Sequence, residues 1–329
     1  MRVRPDPFTL VLLGAIATAS LCPATGPAAQ LLSTLGTVAV AVLFFIHGAA
    51  LSRDQIRAGA THWRLHLFIA ALTFLVFPVL VLPINGLAPH WIPEDLALGF
   101  LYLGVLPSAV SSSIAFTAMA RGNVPAAICS AAASNVFGMM LTPFLLMLLV
   151  RTTGDGGFNT LEALRDIVFQ LLLPFALGHG LRRWLGPWLD RYPGFSARYD
   201  QGVILLIVYT AFSQSVAGGL WQQLPMSAIA LAVALCALLL GVLLGLTTWL
   251  ARRAGFERAD EIAAVFCGSK KSLASGLPMA KVLFAGHPGF GMIILPIICY
   301  NQIQILVGAA LARHYLKQTS ASPTRGRNA

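Results

Sequence analysis

Apolar residues fill this chain in long blocks, each separated from the next by a short polar or charged stretch. Crossing a bilayer core takes ~20 apolar residues of helix. On that measure the blocks predict spans over 8–21, 31–50, 65–84, 96–119, 124–150, 164–181, 202–218, 227–251, 260–284 and 289–312. The first is short for a span, and the fourth and ninth carry breaks inside them. The expected fold class is an all-α polytopic membrane protein with ten transmembrane helices. The opening stretch "MRVRPDPFTLVLLGAIATASLC" also has the basic start, apolar run and small residues of a signal peptide. Leu21 before Cys22 fits lipoprotein cleavage poorly, so the first span is expected to be retained.

Composition agrees: of 329 residues 57% are hydrophobic and 10% charged, with a mean hydropathy of +0.78. Soluble domains carry about 25% charged residues. The net charge of +10 does not point to nucleic acid, because the basic residues are scattered through short loops. With the N-terminus placed in the cytoplasm, Arg2, Arg4, Arg53, Arg57, Arg64, Arg121, Arg182, Arg183, Arg191, Arg198, Arg252, Arg253, Arg258, Arg313, Lys317, Arg325 and Arg327 all fall inside. Arg151, Arg165 and Lys281 fall outside. Seventeen against three satisfies the positive-inside rule and puts both termini in the cytoplasm of a plasma or inner membrane. Trp63, Trp91, Trp184, Trp188 and Trp221 lie at span ends, as an aromatic belt does. Five cysteines without CxxC spacing read as small core residues, and no metal or nucleotide motif is present. An intramembrane enzyme needs a paired nucleophile and base, or two aspartates, within the spans; lone Asp166 and unpaired histidines supply neither.

Two lysines remain, both in the membrane. Lys270 and Lys271 lie in "FCGSKKSLASGLPMA", inside the ninth block. A charge at mid-bilayer costs roughly 3 kcal/mol on insertion scales, so it should face a cavity or a partner; alternatively both stems snorkel towards headgroups. Gly268, Gly276 and Pro278 break the helix here, as Pro107 breaks the fourth span in "LGVLPSAVSSSIAFTAMARGN". Met119-Ala120-Arg121 recurs as Met279-Ala280-Lys281, 160 residues on, which pairs Ser111 with Lys271 and Ser112 with Ser272. Five helices per half is odd, so the halves, 1–150 and 151–314, are expected to be inverted repeats, with 315–329 a disordered cytoplasmic tail. Broken helices at matching positions point to a transporter's binding site.

The chain resembles the bile acid:sodium symporter family, in particular its divergent seventh-type solute-carrier branch and bacterial homologues. The likeness covers nearly the whole chain. It is carried by "HLFIAALTFLVFP" (66–78), "PSAVSSSIAFTAMARGNVPAAI" (107–128), "IAAVFCGSKKSLASGLPMAKVLFAGHP" (262–288) and "YNQIQILVGA" (300–309). The resemblance implies a core of spans three to five and eight to ten, a panel of spans one, two, six and seven, and fourth and ninth helices that cross near mid-membrane. It also implies a sodium site, which this chain departs from. The family's ninth-span glutamate falls near Cys267, and a glutamine four positions later falls at Lys271. A third-span glutamine becomes Thr73, a serine–asparagine pair becomes Ser113-Ile114, and two fifth-span hydroxyls become Ala127 and Ala131. Residues 262–280 contain no acid to replace the glutamate.

The expected site is therefore the crossing. Lys271, rather than Lys270, is expected to replace a bound sodium, against helix carbonyl ends and the hydroxyls of Ser111, Ser112, Ser113 and Ser272. Ser269, Thr73, Ser130, Ser134, Asn135, Asn301 and Gln304 complete the candidate set. Burial favours an uncharged amine, so transport could be proton-linked through Lys271; alternatively the charged amine pairs with an anionic substrate. His47 and His179 are expected to bond between helices, Tyr209, Ser213 and Gln214 to face substrate from the panel, and Asp260 and Glu261 to sit on a helix N-terminus. The function expected is secondary-active transport of a small organic anion: bile-acid-like, a sulfated steroid or a carboxylate. The alternative is a non-transporting membrane regulator, for example of calcium handling. No cofactor or metal is expected, sodium being in doubt without the glutamate. The partners are the lipid bilayer and the organic anion, with a homodimer left open.

Overall fold

The structure, a computed structural model, describes residues 7–51, 62–88, 90–153, 165–166, 168–220 and 224–320. Expectations for Arg2, Arg4, Arg53, Arg57, Trp221, Arg325 and Arg327, and for tail residues 321–329, lie outside the described residues. Every regular element described is a helix: α1 (Pro7–Leu21), α2 (Gly26–Ala50), α3 (Trp63–Asn85), α4 (Glu94–Val105), α5 (Val110–Met119), α6 (Val124–Thr153), α7 (Val168–Gly180), α8 (Arg182–Arg191), α9 (Pro193–Ala217), α10 (Met226–Arg253), α11 (Arg258–Ser269), α12 (Leu273–Leu283) and α13 (Phe290–Ser320).

Five of these, α2, α3, α6, α10 and α13, are long and apolar enough to cross a bilayer unaided. The pair α4/α5 passes the same test as one broken span, bent by 58°. Large apolar side chains such as Leu67, Val79, Phe144, Leu148 and Leu238 are more than half exposed. Such a surface would associate in water but suits acyl chains.

The helices pack in two groups. In one, α2 contacts α7, α8 and α9, and α1 lies along α9. Gly48 and Gly178 let α2 and α7 meet backbone to backbone: a Cβ on Gly48 would strike the carbonyl of Phe175, and one on Gly178 the carbonyl of Phe45. Small residues commonly create such close crossings in membranes. The other group holds α3–α6 and α10–α13, and α9 joins the two by packing on α12 and α13. There Ser215 Oγ accepts the Gly291 N–H at 2.8 Å.

Both predicted breaks are present. The chain leaves helix between Val105 and Val110, and again between Ser269 and Leu273. In each case a twelve-residue helix precedes the break. Matching helix starts and ends, Glu94 to Arg258 and Val105 to Ser269, gives an offset of 164 residues. That differs by about one helical turn from the 160 taken from the three-residue echo, and it sets Lys271 against Pro107 instead of Ser111. The last helix also runs further than expected. Residues 315–320 continue α13 rather than starting a tail, because Tyr315 is buried against Phe266 and Arg258 stacks on its ring at 4.6 Å. Glu261 stands in the first turn of α11, bonded to Arg252 and Arg258 at 3.1 and 2.9 Å.

Candidate functional site

Unwinding a helix inside a bilayer frees carbonyls that no water can reach, so each needs a partner from the protein. At the first break, five successive carbonyls are satisfied one by one. Gly104 and Leu106 accept from Lys271 Nζ at 2.8 and 2.7 Å, and Val105 accepts from Thr142 Oγ1 at 2.7 Å. Pro107 accepts from the Ser272 N–H at 2.9 Å, and Ser108 from Asn135 Nδ2 at 3.0 Å. The Ser108 N–H in turn donates to Ser134 Oγ at 2.9 Å. The Ser272–Pro107 bond ties one break directly to the other, so the two interrupted segments meet there.

At the second break some partners come from the first and the others from α13. Ser108 Oγ donates to the Cys267 carbonyl at 2.6 Å, and Ser113 Oγ to that of Phe266 at 3.0 Å. The Ser269 carbonyl accepts from the Tyr300 hydroxyl at 2.7 Å, while its own Oγ donates back to Val265. Gln304 then grips the backbone of Lys271 from both sides: its Oε1 takes the N–H at 2.9 Å and its Nε2 donates to the C=O at 2.8 Å. Gln304 Nε2 also reaches Asn301 Oδ1 at 3.0 Å.

Lys271 is 1% exposed, and its ammonium fills a cage of main-chain oxygens. Besides Gly104 and Leu106 it donates to the Thr73 carbonyl at 3.0 Å, and it lies 4.2 Å from the centre of the Phe77 ring. The Thr73 oxygen is free for a reason written in the chain. Residues Leu72–Val76 form a π-helical turn in which the Phe77 N–H bonds the Leu72 carbonyl. In that register the next donor belongs to Pro78, which has no N–H, so Thr73 is left without its helical partner. Gly104 and Leu106 stand at the C-terminal end of α4, where the helix dipole favours a cation. Three acceptors match the three N–H donors of an ammonium.

Lys270 goes elsewhere. It is 2% exposed, its Nζ lies 3.6 Å from the centre of the Phe116 ring, and it has no hydrogen-bond partner. Neither lysine snorkels. The two diverge because Lys270 is extended, with φ −102° and ψ 142°, and successive side chains on extended backbone point to opposite sides.

The remaining candidates divide. Ser113, Ser134, Ser269, Asn135, Asn301 and Gln304 belong to the bonded crossing. Thr73 contributes its carbonyl, not its hydroxyl, which bonds Ile69. Ser111, Ser112, Ser113 and Ser272 are not bonded to the ammonium, contrary to expectation, since the carbonyls use all its donors; Ser272 Oγ instead accepts the Ser275 N–H as the cap of α12. Ser130 is also outside the crossing, bonded to His66 at 2.6 Å. Tyr209 reaches the Cys22 carbonyl at 3.0 Å and Ser213 is buried.

Beside the crossing, between the two helix groups, lies a cavity of about 450 Å³. Ser111 and Ser112 at the start of α5 and Ser272 and Ser275 at the start of α12 form one wall, with Asn135 and Asn301. Two helix N-termini therefore meet there, each presenting first-turn N–H groups with no partner within the helix backbone and the positive end of a dipole. The facing wall comes from α2 and α9 and includes His47, Asp200 and Gln201, with His47 Nε2 3.0 Å from Asp200 Oδ1. A larger groove of about 780 Å³ between α10 and α13 is shallow and mostly apolar, and no residue of either break lines it.

Two of the positions where the resemblance places sodium ligands lie among apolar neighbours. Cys267 and Ala127 are buried in one apolar cluster with Leu65, Ile69, Ala126, Ala263 and Ala264. The Cys267 thiol donates to the Ala127 carbonyl at 3.7 Å. Among the described residues no three His, Cys, Asp or Glu side chains converge as a metal site.

Residues 6–317 match the model of the SBF-like CPA transporter family. The chain belongs to that family. It is a multi-pass membrane protein of a transporter lineage. Among its family relatives it is 48% identical over 317 residues to an uncharacterized protein of Pseudomonas aeruginosa, covering 96% of this chain and 95% of that one. It is 47% identical over 314 residues to YfeH of Escherichia coli, named as a candidate symporter, with 95% and 94% covered. It is 31% identical over 315 residues to sodium/bile acid cotransporter 7 of Rattus norvegicus, with 94% and 92% covered.

Ser275 on the crossing side, and Asp200 and Gln201 on the facing wall, are polar cavity residues that reading the sequence missed; the last two are the less expected. Asp200 and Gln201 lie before the apolar block beginning at 202, in a polar stretch that reads as loop yet forms the first two turns of α9.

Proposed function

We propose that this protein is a secondary-active carrier of a small organic anion, working by alternating access, with the Lys271 ammonium standing permanently where sodium-coupled relatives hold a cation. One observation carries this reading: a fixed cation locks the crossing from behind, while two half-helix N-termini open into a cavity in front of it. Such N-termini suit anionic groups, and half-helix C-terminal ends suit cations. The substrate class follows from the positive wall and from the name of the cotransporter 7 relatives.

The finer architecture belongs to the same reading. Ten spans form two inverted repeats, 1–150 and 151–314, with α4/α5 and α11/α12 as the broken fourth and ninth. The group α3–α6 and α10–α13 is the core, and α1, α2, α7, α8 and α9 the panel. Both termini face the cytoplasm of the cell membrane. In this reading the Lys271 amine keeps the cation's place, so the cycle needs no sodium and uses no other metal or cofactor.

Purified protein screened by thermal shift against taurocholate, estrone sulfate and benzoate tests this. Ligand present at about 100 times its Kd stabilises by ~2.7 kcal/mol. At least one anion should raise Tm equally in sodium and in choline chloride. No stabilisation by any of them, or stabilisation only in sodium, counts against the proposal.

A further inference from the structure

The cavity contains a second charge arrangement that the crossing does not use. Among the described residues, His47 and Asp200 are the only titratable side chains lining it. They sit on different helices, α2 and α9, and their side chains are 26% and 20% exposed. Opposite them are the N-termini of α5 and α12 with Ser111, Ser112, Ser272 and Asn301. A carboxylate facing the place where an anion would dock is a liability unless something neutralises it.

We propose that the His47–Asp200 pair is the proton-binding site that couples this carrier, so that each organic anion is taken up together with one proton. The inference rests on the carrier reading above and supplies its driving ion. With His47 neutral, the wall carries the single negative charge of Asp200 and repels an incoming anion. A proton from solution joins the imidazole, Asp200 remains a carboxylate, and the pair becomes neutral overall. The imidazolium then has two N–H donors, one for Asp200 and one more than the neutral ring offers. The anion docks against the two helix N-termini, and on release the proton leaves with it. One negative and one positive charge cross together, with nothing oxidised or reduced. Histidine is suited to this because it changes charge between about pH 5 and 8. Lys271 is not available for the task, since its three donors are fixed on Thr73, Gly104 and Leu106 and it does not line the cavity.

The surroundings of the pair contain other charges, but among the described residues none lies in the cavity wall. From α7, His179 packs near Gly48 through its backbone. From α8, Arg182 donates to the Ala49 carbonyl at 2.8 Å and lies 3.9 Å from Asp190. Arg183, Arg191 and Arg198 on α8 and α9 are exposed. Tyr199 on α9 is bonded to the Ala39 carbonyl at 3.1 Å. From α12, Lys281 meets α2 at Ser33, almost four turns from His47. From α5 no titratable group lines the cavity.

The test is calorimetric titration of the full-length protein with taurocholate and with estrone sulfate, in buffers of different ionisation enthalpy. Both probes are anions of strong acids, so any proton taken up binds to the protein. The expected result is uptake approaching one proton per bound anion on the alkaline side, with Kd rising about tenfold per pH unit there. Uptake should vanish at low pH, where the pair is already protonated. In H47Q, uptake and the pH dependence of Kd should both disappear. Binding without proton uptake across pH 5 to 8, or uptake that persists in H47Q, overturns the coupling site and leaves the carrier reading intact. No binding of either probe overturns the carrier reading, and the coupling site with it. Wild-type stoichiometry alone decides the matter if H47Q does not fold.

Discussion

Lys271 Nζ donates to the Thr73 carbonyl at 3.0 Å, joining residues 198 apart in the chain. The bond closes an orphan left by a π-turn and a proline, in the same cage that holds the end of α4. Its neighbour Lys270 is buried just as deeply yet has no hydrogen bond. The two adjacent lysines should therefore respond in opposite ways to the same substitution. Lys271→Met leaves three carbonyls unsatisfied at about 1–3 kcal/mol each, so a loss of at least ~3 kcal/mol is expected. Lys270→Met removes an unpaired charge at the cost of a cation–π contact worth about 2 kcal/mol when desolvated. It should be neutral or stabilising. Thermal melts of both variants in detergent check this, and equal losses would contradict the cage.

Much of this was legible in the chain, for identifiable reasons. The long apolar helices followed from apolar length and the first break from Pro107, whereas the second break falls at residues 270–272, between Gly268 in α11 and Gly276 and Pro278 in α12. The importance of Lys271 followed from the expense of a charge in an apolar block. Its partners did not, because they are main-chain oxygens, which every residue carries and no motif announces. Ser113 looked like a ligand by composition; instead it caps the end of α11 together with Ser108. Helix α8 also escaped notice, being short and polar on one face, with Trp184, Arg182 and Arg183 within a single turn.

Gln304 holds both backbone groups of Lys271, so it acts as a surrogate neighbouring strand for one residue of unwound chain. Gln304→Leu orphans a buried N–H and a buried C=O together. A loss of roughly 2–5 kcal/mol is expected from two unsatisfied groups. Gln304→Glu keeps the acceptor and loses only the donor, so its melting temperature should fall between those of wild type and Gln304→Leu. An order in which the glutamate variant is the least stable would show that charge, not backbone pairing, dominates at this position.

The contact of α2 with α7 depends on two glycines meeting backbone oxygens, and backbone cannot move aside as a side chain can. Gly48→Ala and Gly178→Ala should each cost about 1–3 kcal/mol, the usual range for overpacking. Gly14 and Gly241, which face open space, provide controls. Their alanine variants should be neutral or slightly stabilising, because alanine is favoured over glycine in helices by about 1 kcal/mol. Melting temperatures of the four variants separate the two classes, and indistinguishable values would mean that the helices do not approach so closely.

If the ammonium of Lys271 occupies a cation's place, emptying that place should let a cation return. Lys271→Ala leaves the carbonyls of Thr73, Gly104 and Leu106 facing one another at the negative end of a helix dipole, with room for an ion and water. Oxygen ligands of this kind suit hard cations. The variant should be destabilised in choline chloride and recover part of the loss in sodium chloride at equal ionic strength. The gain should grow with the logarithm of sodium concentration once the site is more than half filled. Wild type should melt at the same temperature in both salts, because its cation is covalently attached and cannot be diluted away. A folded Lys271→Ala protein indifferent to sodium would mean that the three carbonyls are shaped for an amine alone. A wild type stabilised by sodium would place a metal site elsewhere in the chain, and the amine would then be a structural pin rather than a substitute ion.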